Sequence, residues 1–261
     1  MDIASKDKCA CIVPGEEKPV ISPRPSWRAN TNKAIIVFSP RIYNMVASSS
    51  RRISERHICD GSLYKCAIIK YGATRILLSL PYWGAPAAVV GLERLIAAGI
   101  QEIIVLGLAG SITPKASTGD ILVPTWGIRE EGASYHYMPP NYIPKPHRLL
   151  LTRFLKILKE TKGRKRHRIL IGGVWSTDAF YRETLDKILK YSKQGVIGVD
   201  MEMTALFTVA YYRKARIVGA LAISDELYTG EWKPGFESKR LKRAEKIIAI
   251  AALRTLSEKS S

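Results

Sequence analysis

The 261-residue chain is poor in acidic residues, in cysteine and histidine, and in side-chain amides. It has 23 acidic against 41 basic side chains, which gives a formal net charge of +18. Four asparagines and two glutamines are its only side-chain amides. This scarcity, together with many Lys, Arg and Ile residues, is typical of a thermophilic source. The positive charge attracts nucleic acids, but it also attracts phosphate and nucleotide anions, so charge alone does not identify a partner.

Cysteine and histidine are too few and too scattered to indicate a metal centre. The four cysteines lack the spacing of a zinc site. They are Cys9, Cys11, Cys59 and Cys66, and the histidines are His57, His136, His147 and His167. We therefore predict no metal, and we expect free thiols because a cytoplasm is reducing.

Long hydrophobic runs are also absent. No apolar stretch reaches the roughly 18 residues that indicate a membrane-spanning helix. The first residues include Asp2, Lys6 and Lys8 rather than the hydrophobic core of a secretory signal. We therefore expect a cytoplasmic protein with no membrane partner. The densest basic run, 162–168, contains no aromatic side chains for base stacking, so we also predict no nucleic-acid partner.

Short apolar runs alternate with helical patterns along the chain, which is typical of an α/β domain. The predicted strands are 34–38, 66–71, 75–80, 102–107, 120–123, 169–174 and 217–223. The predicted helices are 86–98, 147–162, 183–193, 201–214 and 237–257. No linker divides residues 31–261, which we expect to form one domain. Residues 1–30 contain four prolines and are predicted to form an irregular arm.

Two carboxylates stand at the ends of apolar segments, where a charge is costly unless a partner binds it. Glu202 lies between two methionines at the start of a long apolar helical pattern, and paired hydroxyls of a ligand would satisfy it. Asp225 follows the predicted strand 217–223, at an end where ligand-binding groups collect in open α/β sheets. Each also has a structural interpretation, Glu202 as a helix N-terminal acid and Asp225 as a helix cap.

The combined pattern resembles the nucleoside phosphorylase-I family from about Lys33 to about Leu256. The residues that carry the resemblance are Gly198–Met203, Ser224-Asp225, Leu106–Ile112, Thr118–Pro124 and Trp175–Tyr181. The segment Glu131–Tyr137 is similar to a loop of archaeal members, so a divergent archaeal source is expected. The resemblance implies a central mixed, twisted β-sheet flanked by helices. It also implies a symmetric homo-oligomer, a dimer, trimer or hexamer.

The resemblance implies a role for several residues in cleaving an N-glycosidic bond. Glu202 would accept hydrogen bonds from the ribose hydroxyls, and Met201 would pack under the sugar. Asp225 would act as a general acid on the purine N7. Trp175 would stack on the base, in a segment that also contains Phe180.

Two further residues complete the predicted nucleoside site. His136 would meet the ribose 5′-hydroxyl. Arg182 lies where uridine phosphorylases carry an Arg and Gln pair, but no such glutamine is present. Since Asp225 also favours a purine, we expect purine nucleosides rather than uridine.

The residues for the nucleophile depart from the family pattern. Inorganic phosphate would be the co-substrate, with no other cofactor. The candidate phosphate-binding residues are Arg41, Arg56, Gly107, Gly110 and Ser111. The first loop lacks the usual glycine, and Val105 and Leu108 replace two usual phosphate ligands.

Two alternatives to a phosphorylase therefore stay open. One is a nucleosidase that uses water, although no acidic residue stands between Ile35 and Ser50 to activate it. The other is a relative that binds nucleosides without turnover.

Overall fold

The computed structural model describes residues 19–23, 28–54, 63–163 and 167–258. This part of the chain contains ten strands, six α-helices and two 3₁₀ turns. The strands are β1 (Lys33–Val37), β2 (Arg51–Ser54), β3 (Leu63–Tyr71), β4 (Thr74–Pro81), β5 (Glu102–Ser111), β6 (Ile121–Glu130), β7 (Ile169–Thr177), β8 (Val196–Asp200), β9 (Arg216–Glu226) and β10 (Lys233–Pro234). The helices are α1 (Pro40–Ser48), α2 (Ala85–Ala97), α3 (Arg148–Lys162), α4 (Leu185–Lys193), α5 (Met203–Tyr212) and α6 (Lys239–Ser257). The 3₁₀ turns are Ala133–His136 and Phe180–Arg182.

All of these strands belong to one mixed sheet, as predicted. Its order is β10-β9-β6-β7-β8-β5-β1-β4-β3-β2, and β9 also pairs with β5. The pairings therefore close β5, β9, β6, β7 and β8 into a ring. Strands β1, β4, β3 and β2 extend from this ring as an open sheet. Ring closure was not predicted, because it depends on pairing between strands that are distant in sequence.

Helices cover both faces of the sheet, because side chains alternate along its buried strands. In β1, Ile35 faces one core, and Ala34 and Ile36 face the other. The first core includes residues of α1, α3 and α6, and the second includes residues of α2 and α5. The α/β fold with helices on both faces is therefore confirmed.

The predicted element boundaries differ from the structure in a few places. Strands β2, β8 and β10 and helix α1 were not predicted. Strand β10 has two residues, and β8 is a five-residue strand that contains Gly198. Helix α5 begins at Met203 instead of 201, because the Asp200 carboxylate accepts the Met203 amide and thereby starts the helix after Glu202.

Three further sequence-based expectations concern the N-terminal arm, the cysteines and membrane-spanning helices. Residues 19–23 and 28–30 of the predicted arm contain no helix or strand, and the rest of the arm lies outside the described residues. Cys66 in β3 is disulfide-bonded, so the expectation of a free thiol is wrong for this residue. We expected a free thiol because a cytoplasm is reducing, whereas a disulfide also depends on the distance and orientation of the two cysteines. The other three cysteines lie outside the described residues. No helix in the described part is long and apolar enough to cross a membrane.

Asp120 ties the start of β6 to two other parts of the fold. Its fully buried carboxylate accepts the backbone amide and the Nε of Arg168, at 3.0 and 2.8 Å. It also accepts a hydrogen bond from Arg240 at the start of α6. Since a buried carboxylate is stable only when it is paired and hydrogen-bonded, these contacts hold β6, β7 and α6 together.

We expect Asp120→Ala to lower the free energy of unfolding by about 2–4 kcal/mol, because it leaves several donors without their acceptor. The matched control is Glu160→Ala, which breaks a half-exposed pair with Arg254 and should cost about 0–1 kcal/mol. Guanidinium unfolding of the two variants measures the difference. Equal losses would show that Asp120 is no more important than a surface charge.

Candidate active site

The sheet brings two acidic positions to the carboxyl end of β5. Gly110 is paired with Val199 of β8 on one side and with Asp225 of β9 on the other. An added Cβ at Gly110 would lie 2.5 Å from Leu227 and 3.2 Å from the Asp225 carboxylate. A glycine is therefore needed where these strands converge. Asp200, which follows Val199, and Asp225 consequently flank the same strand end.

Glu202 follows β8 and stands at the N-cap position of α5, with only 7% of its surface exposed. Its Oε1 accepts the backbone amide of Gly84 at 2.7 Å. Gly84 connects β4 to α2 and has a φ of +95°, a conformation that glycine adopts without strain. The connection between β4 and α2 therefore fixes one oxygen of Glu202.

Asp200 is the acceptor that caps helix α5. Its Oδ2 accepts the amides of Met203 and Glu202, at 2.8 and 3.3 Å. Its Oδ1 accepts the hydroxyl of Ser176, and that hydroxyl oxygen in turn accepts the Thr204 amide at 3.0 Å. The ends of β7 and β8 and the first turn of α5 are thus joined at one buried carboxylate.

Burial raises the pKa values of the acidic groups in this region, and neighbouring charges add to the effect. Burial raises the pKa of Glu202 and of Asp200, and the charge of Asp200 adds to the effect on Glu202. Burial, followed by the charges of Asp225 and Asp200, raises the pKa of Glu183 to about 8. Asp200, Glu202, Glu183 and Asp225 are called the acidic cluster below. Because these pKa values are raised, some members of the cluster carry a proton near neutral pH. Among the described residues, no group of three or more His, Cys, Asp or Glu side chains is arranged to hold a metal ion.

Asp225 is almost fully buried and is hydrogen-bonded through both oxygens. The Ser224 hydroxyl donates to Oδ1 at 2.6 Å, and the Trp232 indole N–H donates to Oδ2 at 3.0 Å. Burial raises the pKa of Asp225, while these two donors act in the opposite direction. Its protonation is therefore set by the balance between desolvation and two identified contacts.

The two aromatic residues assigned to the base, Phe180 and Trp175, differ in solvent exposure. Phe180 is 44% exposed at the start of a 3₁₀ turn. Trp175 is completely buried and packs against Tyr191, with 4.9 Å between ring centroids. It also belongs to a core cluster with Ile188 and Val199. The stacking role expected for Trp175 does not fit this position, because its ring is covered by protein on all sides.

The other predicted nucleoside contacts differ in exposure. Met201 is partly buried and directly precedes Glu202. Arg182 is exposed at the end of the turn that Phe180 begins, and His136 is exposed at the end of the other 3₁₀ turn.

Arg41, the candidate phosphate-binding arginine that lies within the described residues, is bound to groups of the protein itself. The Arg41 Nε donates to the buried Glu245 of α6, and one of its terminal nitrogens donates to the Phe236 carbonyl at 2.9 Å. Arg56 lies outside the described residues. Val105, in the position where the resemblance implies an arginine, is fully buried in the core beneath α2 and α5.

The candidate phosphate ligands on β5 lie inside the structure. The Ser111 hydroxyl is fully buried and lies 2.8 Å from the Thr113 carbonyl and 3.0 Å from the Ala116 carbonyl. An added Cβ at Gly107 would lie 3.1 Å from Leu221. Gly107, Gly110 and Ser111 therefore serve the packing of the strand, and the role expected for the Ser111 hydroxyl does not fit its contacts.

Several residues of the site were not identified from the sequence. They are Gly84, Ser176, Glu183, Asp200 and Trp232. Asp200 had a detectable signal, because it directly precedes the predicted helix 201–214 and an acidic residue in that position is a typical N-cap. Nothing in the sequence indicated the role of Trp232, because its hydrogen bond to Asp225 depends on the path of a loop.

The raised pKa of Glu202 predicts that replacement by glutamine stabilises the protein in a pH-dependent way. The folded protein keeps the Glu202 proton above the ordinary glutamate pKa of 4.5, so wild-type stability falls as pH rises from 4.5 towards the raised pKa. We expect Glu202→Gln to melt above the wild type at about pH 8 and close to it at about pH 4.5. Glu160→Gln, at a half-exposed residue, is the control. A melting difference that does not change with pH would contradict the prediction.

Comparison with known proteins assigns the family. The family model described as the phosphorylase superfamily matches residues 32–257. A DeoD-type purine nucleoside phosphorylase of Roseobacter denitrificans is 29% identical over 174 residues, which cover 63% of this chain and 69% of the relative. A guanosine phosphorylase of Halorubrum lacusprofundi is 24% identical over 170 residues, which cover 65% and 69%.

Solved structures agree with this assignment. The crystal structure of uridine phosphorylase from Vibrio fischeri superposes with a TM-score of 0.76 at 25% identity, covering 90% of this chain and 96% of that one. Purine nucleoside phosphorylase from Toxoplasma gondii, at 21% identity, shares the fold with a TM-score of 0.72 over 85% of this chain and 90% of its own. The family model spans nearly the whole part of the chain that folds around the acidic cluster, so the chain belongs to the phosphorylase superfamily.

Proposed function

We propose that this protein cleaves the N-glycosidic bond of purine nucleosides with inorganic phosphate and releases the free base and ribose 1-phosphate. The observation that carries the proposal is the placement of two buried carboxyl groups: Asp225 is paired with Gly110 at the end of β5, and Glu202 follows β8, whose Val199 is paired with the same glycine. Family membership supports phosphorolysis, and the names of the purine nucleoside and guanosine phosphorylase relatives support a purine substrate.

Glu202 binds the ribose in this proposal. Its Oε1 is held by the Gly84 amide, so the carboxyl group has a defined orientation before the sugar arrives. Paired ribose hydroxyls are suitable partners for a carboxylate, and Met201 is close enough in sequence to pack under the ring. His136 contacts the 5′-hydroxyl. Cleavage develops positive charge on the ribose, and the acidic cluster favours that charge through its electrostatic potential.

Asp225 acts on the base. A protonated Asp225 donates to the purine N7 as the bond to ribose breaks, and general acids of this kind contribute about 10²–10⁴ in rate. Burial supports this role, because it raises the pKa of Asp225 and makes the protonated form accessible. Phe180 packs on the base in this proposal, since it is partly exposed at the start of the 3₁₀ turn, and Arg182 lies at the end of the same turn.

Inorganic phosphate is the nucleophile in this proposal. A phosphate dianion is bound best by cations and charge-assisted hydrogen bonds. Arg41 at the start of α1 and Arg56 of this or a neighbouring subunit are the candidates, with backbone amides near Gly107 and Gly110. Hydrolysis is the second candidate, because the Arg41 Nε is bonded to Glu245 and Val105 replaces an expected arginine.

We further propose a homo-oligomer, a dimer, trimer or hexamer, that works in the cytoplasm without a cofactor other than phosphate. Exposed aromatic side chains support self-association, because such residues are enriched at protein interfaces. Trp83 is 72% exposed, and the neighbouring Tyr82 packs beside Tyr64, with 5.8 Å between ring centroids. Residues 31–261 act as one catalytic domain in each subunit, with residues 1–30 as an arm.

The reaction is tested by incubating the protein with inosine, adenosine, guanosine and uridine, with and without inorganic phosphate. We expect free base and ribose 1-phosphate only when phosphate is present, and faster cleavage of the purine nucleosides than of uridine. Free ribose formed without phosphate would establish hydrolysis instead. Absence of cleavage, combined with stabilisation by nucleosides, would establish a binding protein.

The role of Asp225 is tested with Asp225→Asn, which keeps the shape of the side chain but cannot supply the acid proton. We expect kcat/KM on inosine to fall by about 10²–10⁴-fold. Asp186→Asn, at an exposed position in the first turn of α4, is the control and should leave the rate unchanged. Wild-type turnover by Asp225→Asn would remove Asp225 from the reaction.

A further inference from the structure

The connection from β9 to α6, residues 227–238, folds back over the end of its own strand. The Gly230 amide donates to the Leu227 carbonyl at 3.0 Å, and β10 pairs with Asp225 and Glu226. The Gly235 amide then donates to the Ser224 carbonyl at 2.8 Å. Three consecutive residues of the connection, Lys233, Pro234 and Gly235, are therefore attached to the strand that carries Asp225, and they hold the preceding Trp232 beside the candidate active site.

Close packing holds this path in place. An added Cβ at Gly235 would lie 2.3 Å from the Thr118 side chain and 2.9 Å from the Ser224 carbonyl. The connection therefore passes against the loop before β6 at a distance that only glycine permits. Trp232 itself is 55% exposed, and its ring lies 6.3 Å from that of Phe236. One edge of the indole is thus directed to Asp225, while much of its surface remains open to a ligand or to water.

The contact between Trp232 and Asp225 depends on the protonation of the carboxyl group. The indole N–H is a donor only, so it bonds well to a carboxylate oxygen and poorly to an oxygen that carries a proton. It reaches Oδ2, whereas the Ser224 hydroxyl occupies Oδ1. A hydroxyl can act as donor or acceptor, so Ser224 adapts to either form of Asp225 and Trp232 does not.

We propose that Trp232 is a positioning residue for Asp225: its N–H holds Oδ2 of the ionised carboxylate, and the contact opens when Oδ2 carries the proton that the base receives. The inference rests on the proposed role of Asp225 as general acid. Opening of the contact frees the exposed indole to move, while the paired backbone of β10 and Gly235 stays attached to β9, as the base takes its place beside Oδ2.

The charged groups around Asp225 come from three parts of the fold. Glu226 adjoins it in β9, and its charge favours the protonated form of Asp225. Glu183, before α4, is close enough for Asp225 to raise its pKa. Lys233 of β10 is paired in register with Glu226. A substitution at Trp232 leaves all of these groups in place, so its effect on Asp225 is specific to the lost contact.

Two substitutions separate the N–H donor from the aromatic ring. Trp232→Phe keeps a ring without a donor, and Trp232→Gln keeps an N–H donor without a ring. Loss of the donor destabilises the ionised carboxylate, so the pKa of Asp225 rises in Trp232→Phe. Since a general acid works in its protonated form, the decline of kcat/KM for inosine at high pH should move upward by about one pH unit in Trp232→Phe. Trp232→Gln should retain the wild-type position. The same shift in both variants, or no shift in either, would overturn the proposal.

Tryptophan fluorescence tests the contact without turnover. The signal of wild type minus that of Trp232→Phe should change with pH as Asp225 ionises. In the background of Asp225→Asn, whose amide does not titrate, the corresponding difference should not change. Trp83→Phe removes another exposed tryptophan and should leave the transition in place. Absence of the transition in otherwise wild-type protein would overturn the contact itself.

The two measurements also distinguish this inference from the proposed function. A fluorescence transition combined with full activity of Asp225→Asn would mean that the contact exists but that Asp225 is not the acid, which overturns the role of Trp232 in catalysis. Activity lost in Asp225→Asn, without a fluorescence transition, would leave the proposed function intact and reject Trp232 alone.

Discussion

The arrangement of the candidate site depends on hydrogen bonds to the buried carboxylate of Asp200. It accepts the amides of Glu202 and Met203 at the start of α5 and the hydroxyl of Ser176, so it joins β7, β8 and α5. Glu202 takes its position from this junction, and the Gly84 amide then fixes one of its oxygens. A buried charge without such donors would be strongly unfavourable, and the same donors that stabilise it also define the geometry of the site.

The charge of the candidate site is opposite to that of the whole chain. The protein has a formal net charge of +18, yet Glu183, Asp200, Glu202 and Asp225 converge around the ends of its strands. The long-range field of the protein attracts anions, whereas the local field of the cluster disfavours them. This contrast suits a reaction that draws an anionic co-substrate towards the protein and develops a cation on the sugar. It also explains why an anion near the cluster needs dedicated cations.

Local sequence patterns predicted much of the fold and part of the site. Apolar runs bounded by Gly, Pro or charge were sufficient for the longer strands and helices, and the combined pattern of five segments between 106 and 225 was sufficient for the family. Side-chain direction was harder to predict. Successive residues of a strand point to opposite faces, so Ser176 reaches Asp200 while Trp175 enters the core. The segment around them is buried throughout, and its sequence shows no alternation that would reveal which residue faces the ligand. The partner of Arg41, Glu245, lies 204 residues away and was equally invisible to local patterns.

Closure of five strands into a ring limits how this site can diverge. Asp200 and Asp225 end two strands of the ring, and both strands are paired with β5. A one-residue shift in either strand would break pairings around the ring and turn its side chains to the other face. The connections between strands are free of that restriction. Substitution and length change in them can therefore alter the surroundings of the two acidic positions while Asp200 and Asp225 stay in place. The ring thus separates a fixed geometry from the parts of the protein through which a new reaction can evolve.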